Sequence, residues 1–145
     1  MADGAGDILR SFARALESRD VEKTVGFFSQ DAVYETPNGT FKGSAEIRRY
    51  FQWMFTTNSE IRVTESGVGI LALGDKAAFE HVLHGTFRGQ TWEMPILCTY
   101  ELRDGKVKRM LTVYDRLSLA RQVGKGVMAR RAVGAVIKAA EKGLH

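Results

Sequence analysis

Val68-Gly69-Ile70-Leu71-Ala72-Leu73-Gly74-Asp75-Lys76-Ala77-Ala78-Phe79 decides how the second half of this chain is read. Two apolar runs flank Gly74-Asp75, a dipeptide suited to a tight hairpin turn. The spacing predicts strands over residues 68 to 73 and 76 to 87. Working outward, Arg88-Gly89 turns the chain into a strand over 90 to 102. Arg103-Asp104-Gly105 then leads into a last strand that closes with Leu111-Thr112-Val113-Tyr114-Asp115. Upstream, residues 60 to 66 alternate, with Ile61 and Val63 on one face.

The first half has a different period. Ile8, Leu9, Phe12, Ala15 and Leu16 recur at helical spacing over 7 to 18. Asp20 suits the N-cap of a second short helix whose stripe is Val21, Val25 and Phe28. Residues 32 to 36 are extended because Pro37 disfavours a helical Thr36, and Asn38-Gly39 favours a hairpin turn. Gly43-Ser44 precedes a third helix carrying Ile47, Phe51 and Met54, with Tyr50 and Trp53 nearby. Helices followed by hairpin-linked strands indicate an α+β protein with a largely antiparallel sheet.

Composition narrows the class. A chain of 145 residues fits one domain with a sizeable core. No apolar run reaches the roughly 18 residues of a membrane span. The segment Met1-Ala2-Asp3-Gly4-Ala5-Gly6-Asp7 is the reverse of a signal peptide, so the expected location is cytoplasmic. Cys98 stands alone, which removes a disulfide framework and a cysteine-based zinc site. The net charge of +4 is unevenly spread: from Arg121 onward six basic residues face one acid, Glu141, and the body is near neutral. A basic tail on a neutral body argues against a nucleic-acid-binding core. His81 and His84, three apart on a strand, point opposite ways and do not form a metal pair; no metal or cofactor is expected.

Four segments carry a family resemblance. Residues 12 to 21, the run Phe27-Phe28-Ser29-Gln30-Asp31-Ala32-Val33-Tyr34, Gly43-Ser44-Ala45-Glu46-Ile47, and Asp104-Gly105-Lys106-Val107 with Tyr114-Asp115 and Leu119-Ala120-Arg121-Gln122 occur in order. Together they resemble the nuclear transport factor two-like superfamily, in its branch of SnoaL-like polyketide cyclases and limonene-epoxide-hydrolase-like proteins. The resemblance implies a cone-shaped, barrel-like fold, with N-terminal helices packed on a curved, largely antiparallel mixed sheet around a pocket. It divides the chain into a SnoaL-like domain over 1–122 and a basic helical extension over 123–145.

The resemblance also sets expectations for the pocket. The ketosteroid isomerase positions hold Thr36, Phe12 and an apolar residue near Leu97 or Cys98, so that chemistry is not supported. Of the limonene epoxide hydrolase set, Asp115 and Tyr34 match. Thr36 replaces the Asn, His81 falls where the Arg would be, and Leu83 replaces the second Asp. The SnoaL-like pattern of a single Asp in an apolar pocket conflicts least. On this reading Asp115 is the acid/base, His81 or Tyr34 assists, and Phe12, Thr36, Trp53, Phe79, Leu83 and Val113 contact a small, mostly apolar ligand with a polar handle. Leu111, Val113 and Asp115 share the strand face expected to meet that pocket.

Blander roles stand beside these. Asp115 suits an ion pair with Arg109, Arg116 or Arg121, or a cap on the helix that follows; His81 suits a hydrogen-bonded sheet position. The function classes are acid/base isomerisation, cyclisation or epoxide hydration, a non-catalytic small-molecule binder, and an interaction module, with a homodimer expected. The tail reads as a helix over the pocket mouth or a dimer neighbour, a solvated tail, or a helix on an anionic membrane surface.

Overall fold

The computed structural model describes residues 4–144; Met1, Ala2, Asp3 and His145 lie outside them. Helices come first: α1 (Ala5–Ser18) and α2 (Val21–Val25), then β1 (Phe28–Thr36), β2 (Gly39–Lys42) and α3 (Gly43–Thr57). The strands β3 (Asn58–Leu73), β4 (Lys76–Phe87), β5 (Gln90–Arg103) and β6 (Lys106–Val113) follow, and α4 (Arg116–Val123) and α5 (Val127–Ala140) end the chain. The six strands form one sheet in the order β2-β1-β6-β5-β4-β3. Only the β1–β6 pairing is parallel, so the sheet is mixed as expected. It curves around the helices without closing into a barrel, leaving β2 and β3 as edges.

The helical stripe of α1 does what its period predicts, burying Leu9, Phe12, Ala15 and Leu16. Arg19 ends the helix in the left-handed conformation (φ 56°), and the Asp20 carboxylate accepts the Lys23 N–H at 3.0 Å to start α2. Along α3, Ile47, Tyr50, Phe51, Met54 and Phe55 are buried. Rings from both helices and β1 pack together: Phe12 meets Phe28 edge-on at 5.6 Å, and Tyr34 stacks on Phe51 at 5.9 Å. Phe28, expected on the stripe of α2, instead opens β1, which begins four residues before the predicted extended segment.

Two predicted strands are one. Residues 60 to 66 and 68 to 73 belong to the single strand β3, bent by a bulge. Glu65 pairs with His81 and Ile70 with Phe79, so residues 66–69 face Glu80 alone. Gly67 and Gly69 take positive φ there (54° and 62°), and the Glu80 carboxylate accepts the Val68 N–H at 3.0 Å. Glycine supplies the conformation and β4 supplies the hydrogen bond.

The strand β5 fixes which face looks inward. Its alternate residues Trp92, Met94, Ile96, Cys98, Tyr100 and Leu102 are all buried, and the residues between them are exposed. On β4 the inward row contains Phe79, His81 and Leu83. On β6, Met110 pairs with Tyr100 and Thr112 with Cys98, so Met110 and Thr112 face inward.

That row corrects the expected face of the last strand. Leu111 and Val113 lie on the opposite side, and Val113 is 52% exposed. The reason is a second bulge: Glu101 pairs with Arg109 but Leu102 with Val107, leaving Lys108 as an extra residue. Strict alternation from the buried Val107 would have carried Leu111, Val113 and Asp115 inward. One inserted residue reverses every side chain beyond it.

Candidate functional site

Helices and sheet enclose a cavity of about 340 Å³ whose walls are mostly apolar and aromatic. Of the residues expected there, Phe12, Tyr34, Trp53, Phe79, His81 and Leu83 line it; Asp115, Thr36 and Val113 do not. Thr36 Oγ1 donates to the Gly39 carbonyl at 3.2 Å and accepts the Asn38 N–H at 2.9 Å, so its hydroxyl is held within the β1–β2 turn.

Asp115 is an exposed N-cap. Beyond the end of β6, one carboxylate oxygen accepts the N–H groups of Leu117 (2.9 Å) and Ser118 (3.2 Å), which satisfies two of the open donors at the start of α4. Of the alternative roles, the cap is the one the geometry displays, and the expected pocket acid is corrected accordingly. No Asp or Glu among the described residues lines the cavity.

The polar groups that do line it are specific. His81 is 5% exposed, and its Nδ1 lies 3.3 Å from the Phe79 carbonyl oxygen. A carbonyl oxygen only accepts, so Nδ1 carries the proton and Nε2 presents its lone pair. Burial lowers the His81 pKa below 6.5, opposed by the bond to Phe79, and favours the neutral ring. Nε2 makes no hydrogen bond to another described residue.

Toward the far wall lies a hydroxyl relay. Thr112 Oγ1 donates to Tyr34 Oη at 3.1 Å, and Cys98 Sγ lies 3.3 Å from the same threonine oxygen. With the Thr112 proton committed to Tyr34, the thiol is the donor in that second contact. The Tyr50 hydroxyl is a further hydrogen-bonding neighbour of Tyr34, with the two rings edge-on at 5.0 Å. Burial raises the Tyr34 pKa well above its usual value and pushes the Cys98 thiol up to about 11, so both stay protonated. Because His81 is on β4 and Tyr34 on β1, with β5 and β6 between, the two side chains reach the cavity from separate parts of the sheet.

Sequence reasoning missed the remaining contributors. Tyr114 Oη accepts from the Asn38 side chain at 2.9 Å, and Arg116, whose guanidinium donates to the Pro37 carbonyl at 3.1 Å, is the sole charged side chain of the described lining. Leu119, Ala120 and Val123 of α4 cover another part of the cavity. Trp92 Nε1 donates to Asn58 Oδ1 at 2.9 Å, and its indole occupies the space beside Gly85, where a Cβ would come within 2.3 Å of the ring. The apolar alternation from Trp92 to Leu102 is a signal that could have found Cys98 and Trp92; nothing local in the sequence pointed to Thr112 or Arg116.

Among the described residues no group of three His, Cys, Asp or Glu is placed to hold a metal ion, and no helix is long and apolar enough to cross a membrane.

The fold has relatives. A hypothetical protein with a ketosteroid isomerase-like fold from Catenulispora acidiphila, crystallised in complex with trimethylamine, superposes with a TM-score of 0.76 at 19% identity, over 86% of this chain and 96% of that one. A candidate polyketide cyclase from Pseudomonas putida gives 0.74 at 19% identity, over 84% and 99%. IdmH, a candidate polyketide cyclase from Streptomyces antibioticus, gives 0.69 at 23% identity, over 82% and 97%. At these identities the likeness shows the fold. No protein of curated function matches the sequence. The family model of the SnoaL-like domain matches residues 9–110, from α1 into β6, and the chain belongs to that family.

Proposed function

We propose that the cavity carries out acid/base isomerisation or cyclisation of a small, flat, mostly apolar ligand with a carbonyl handle. The observation that carries this is the neutral His81 ring, its Nε2 lone pair unused, in an apolar cavity that also holds the Tyr34 hydroxyl. Nε2 takes a proton from the carbon next to the carbonyl. Tyr34 donates to the enolate oxygen, and Thr112 and Cys98 hold the Tyr34 hydroxyl in place. Imidazolium and enolate form together, as an ion pair, beside the Arg116 cation of the lining. The proton returns to a different carbon, or the enolate carbon closes a ring on a second carbonyl, whose oxygen takes the proton back from His81. The candidate polyketide cyclases among the structural relatives support this class of chemistry. In this version Asp115 holds α4 in place and does not move protons.

The test is deuterium incorporation next to the carbonyl of bicyclic aromatic ketones in heavy water, followed by NMR. Wild type should exchange and His81→Gln should not, while both bind the ketone. Binding without exchange by wild type would replace the proposal with the second reading, a non-catalytic small-molecule carrier. The absence of a carboxylate from the described lining favours that second reading.

We further propose that the chain self-associates through the outer face of the sheet, where the paired Leu97 and Val113 are both about half exposed. Light scattering should then give twice the 16.1 kDa chain mass.

A further inference from the structure

The helix α5 leaves the body of the protein with no buried residue and packs chiefly against α4. Its side chains sort into two arcs. At 3.6 residues per turn, Ala135, Met128, Ala139, Ala132, Val136, Ala129, Ala140, Val133 and Ile137 fall in one unbroken arc of about 200°. The complementary arc contains Arg130, Arg131 and Lys138, continued by Glu141 and Lys142 just beyond the helix, with Val127 and Gly134 as its uncharged members. Val133 and Ile137, at one margin of the apolar arc, are half-buried; the opposite side is open, with Met128 85% and Val136 53% exposed. None of the four cations forms an ion pair with another described residue. The helix itself contains no acid, and Glu141 follows its last turn. None of its residues lines the cavity, so it does not close the pocket mouth.

We propose that α5 is a surface for an anionic lipid bilayer, lying in the interface with Met128, Ala132 and Val136 toward the acyl chains and the cations at the headgroups. Charge complementarity decides the occupant. A second copy of the helix would bring Arg130, Arg131, Lys138 and Lys142 against their like, with Glu141 alone in each copy to answer four cations. A peptide groove would demand large anchoring side chains, whereas this arc is built of alanine, valine, one methionine and one isoleucine. A bilayer demands a broad apolar face and a rim of positive charge. An arc of mostly small side chains inserts shallowly, so the attraction to anionic headgroups supplies much of the affinity.

Full-length protein floated with phosphatidylcholine vesicles containing 30% phosphatidylglycerol tests this directly. Binding should appear with those vesicles, be weak with pure phosphatidylcholine, and fade as salt is raised. Each cation near an anionic surface changes affinity by about a factor of five, so Arg130→Gln with Arg131→Gln should weaken binding about twenty-fivefold. Met128→Ser with Val136→Ser should weaken it as well, and both side chains are exposed, so circular dichroism should show an unchanged fold. No binding to the anionic vesicles overturns the proposal, as does binding that these substitutions leave intact. Self-association abolished by the same substitutions, without lipid binding, would assign the face to a second copy and overturn it equally.

Discussion

Gln122 stands in for a missing strand beside Glu93. Its side-chain amide accepts the Glu93 N–H at 2.9 Å and donates to the Glu93 carbonyl at 2.9 Å. Pairing between β6 and β5 stops at Val113 and Leu97, so β5 has an unpaired edge at Glu93. A primary amide has the same donor and acceptor as a peptide group, and Gln122 uses both to satisfy that edge. The contact also sets the position of α4 over the cavity.

Gln122→Ala should therefore speed amide hydrogen exchange at Glu93 and along α4, and cost about 1–2 kcal/mol in urea unfolding. Gln122→Glu, which keeps the acceptor and loses the donor, should recover part of the Glu93 protection. Unchanged exchange in Gln122→Ala would mean that α4 is held by its apolar contacts alone.

Asp115→Ala should destabilise the protein by about 1 kcal/mol through loss of the cap, and Asp115→Asn or Asp115→Ser should restore most of it. Ligand binding and deuterium exchange should persist in the Asn variant. An Asn variant that is stable but inactive would return Asp115 to the chemistry.

The buried His81 should make stability depend on pH in a defined direction. Its folded pKa lies below 6.5, so as pH falls through 6.5 the unfolded chain takes up a proton that the folded chain refuses. The unfolded state then binds more protons, and stability falls from about pH 6.5 down to the lowered folded value; above 6.5 His81 contributes no slope. His81→Phe should flatten that part of the profile relative to wild type, read as melting temperature between pH 7.5 and 5. An identical slope in both proteins would place the titrating group elsewhere.

Gly85→Ala should push the Trp92 indole from its place, because a new Cβ would come within 2.3 Å of a buried ring that lies across the strand pair. Overpacking of this kind costs about 1–3 kcal/mol. Tryptophan fluorescence should shift, since Trp92 would lose its bond to Asn58. A variant with wild-type emission and stability would show that the ring has room to move.

How far the residues announced the structure depended on how local the signal was. The hairpins at Gly74-Asp75, Arg88-Gly89 and Asp104-Gly105 form where their turn residues stand, and the row Phe79, His81, Leu83 reaches the cavity as read. The face of β6 was not legible. Apolar residues occupy both of its sides, and Lys108, which inverts the alternation, looks like any surface lysine. The bulge that joins 60–66 to 68–73 was hidden for a similar reason: Gly67 and Gly69 mark a turn as readily as a bend within one strand. Thr112 and Arg116 became site residues only through register and through the placement of α4. Such long-range facts leave little local trace.

The described walls of the cavity contain no fixed negative charge. An enolate forming between His81 and Tyr34 would meet hydroxyl dipoles and the Arg116 cation rather than a carboxylate repelling it. A permanently cationic ligand would find aromatic faces but no counter-ion. The lining therefore offers a counter-charge to an anion and none to a cation, and the bulge at Lys108 is responsible: by turning the end of β6 over, it placed the one nearby acid on the outside.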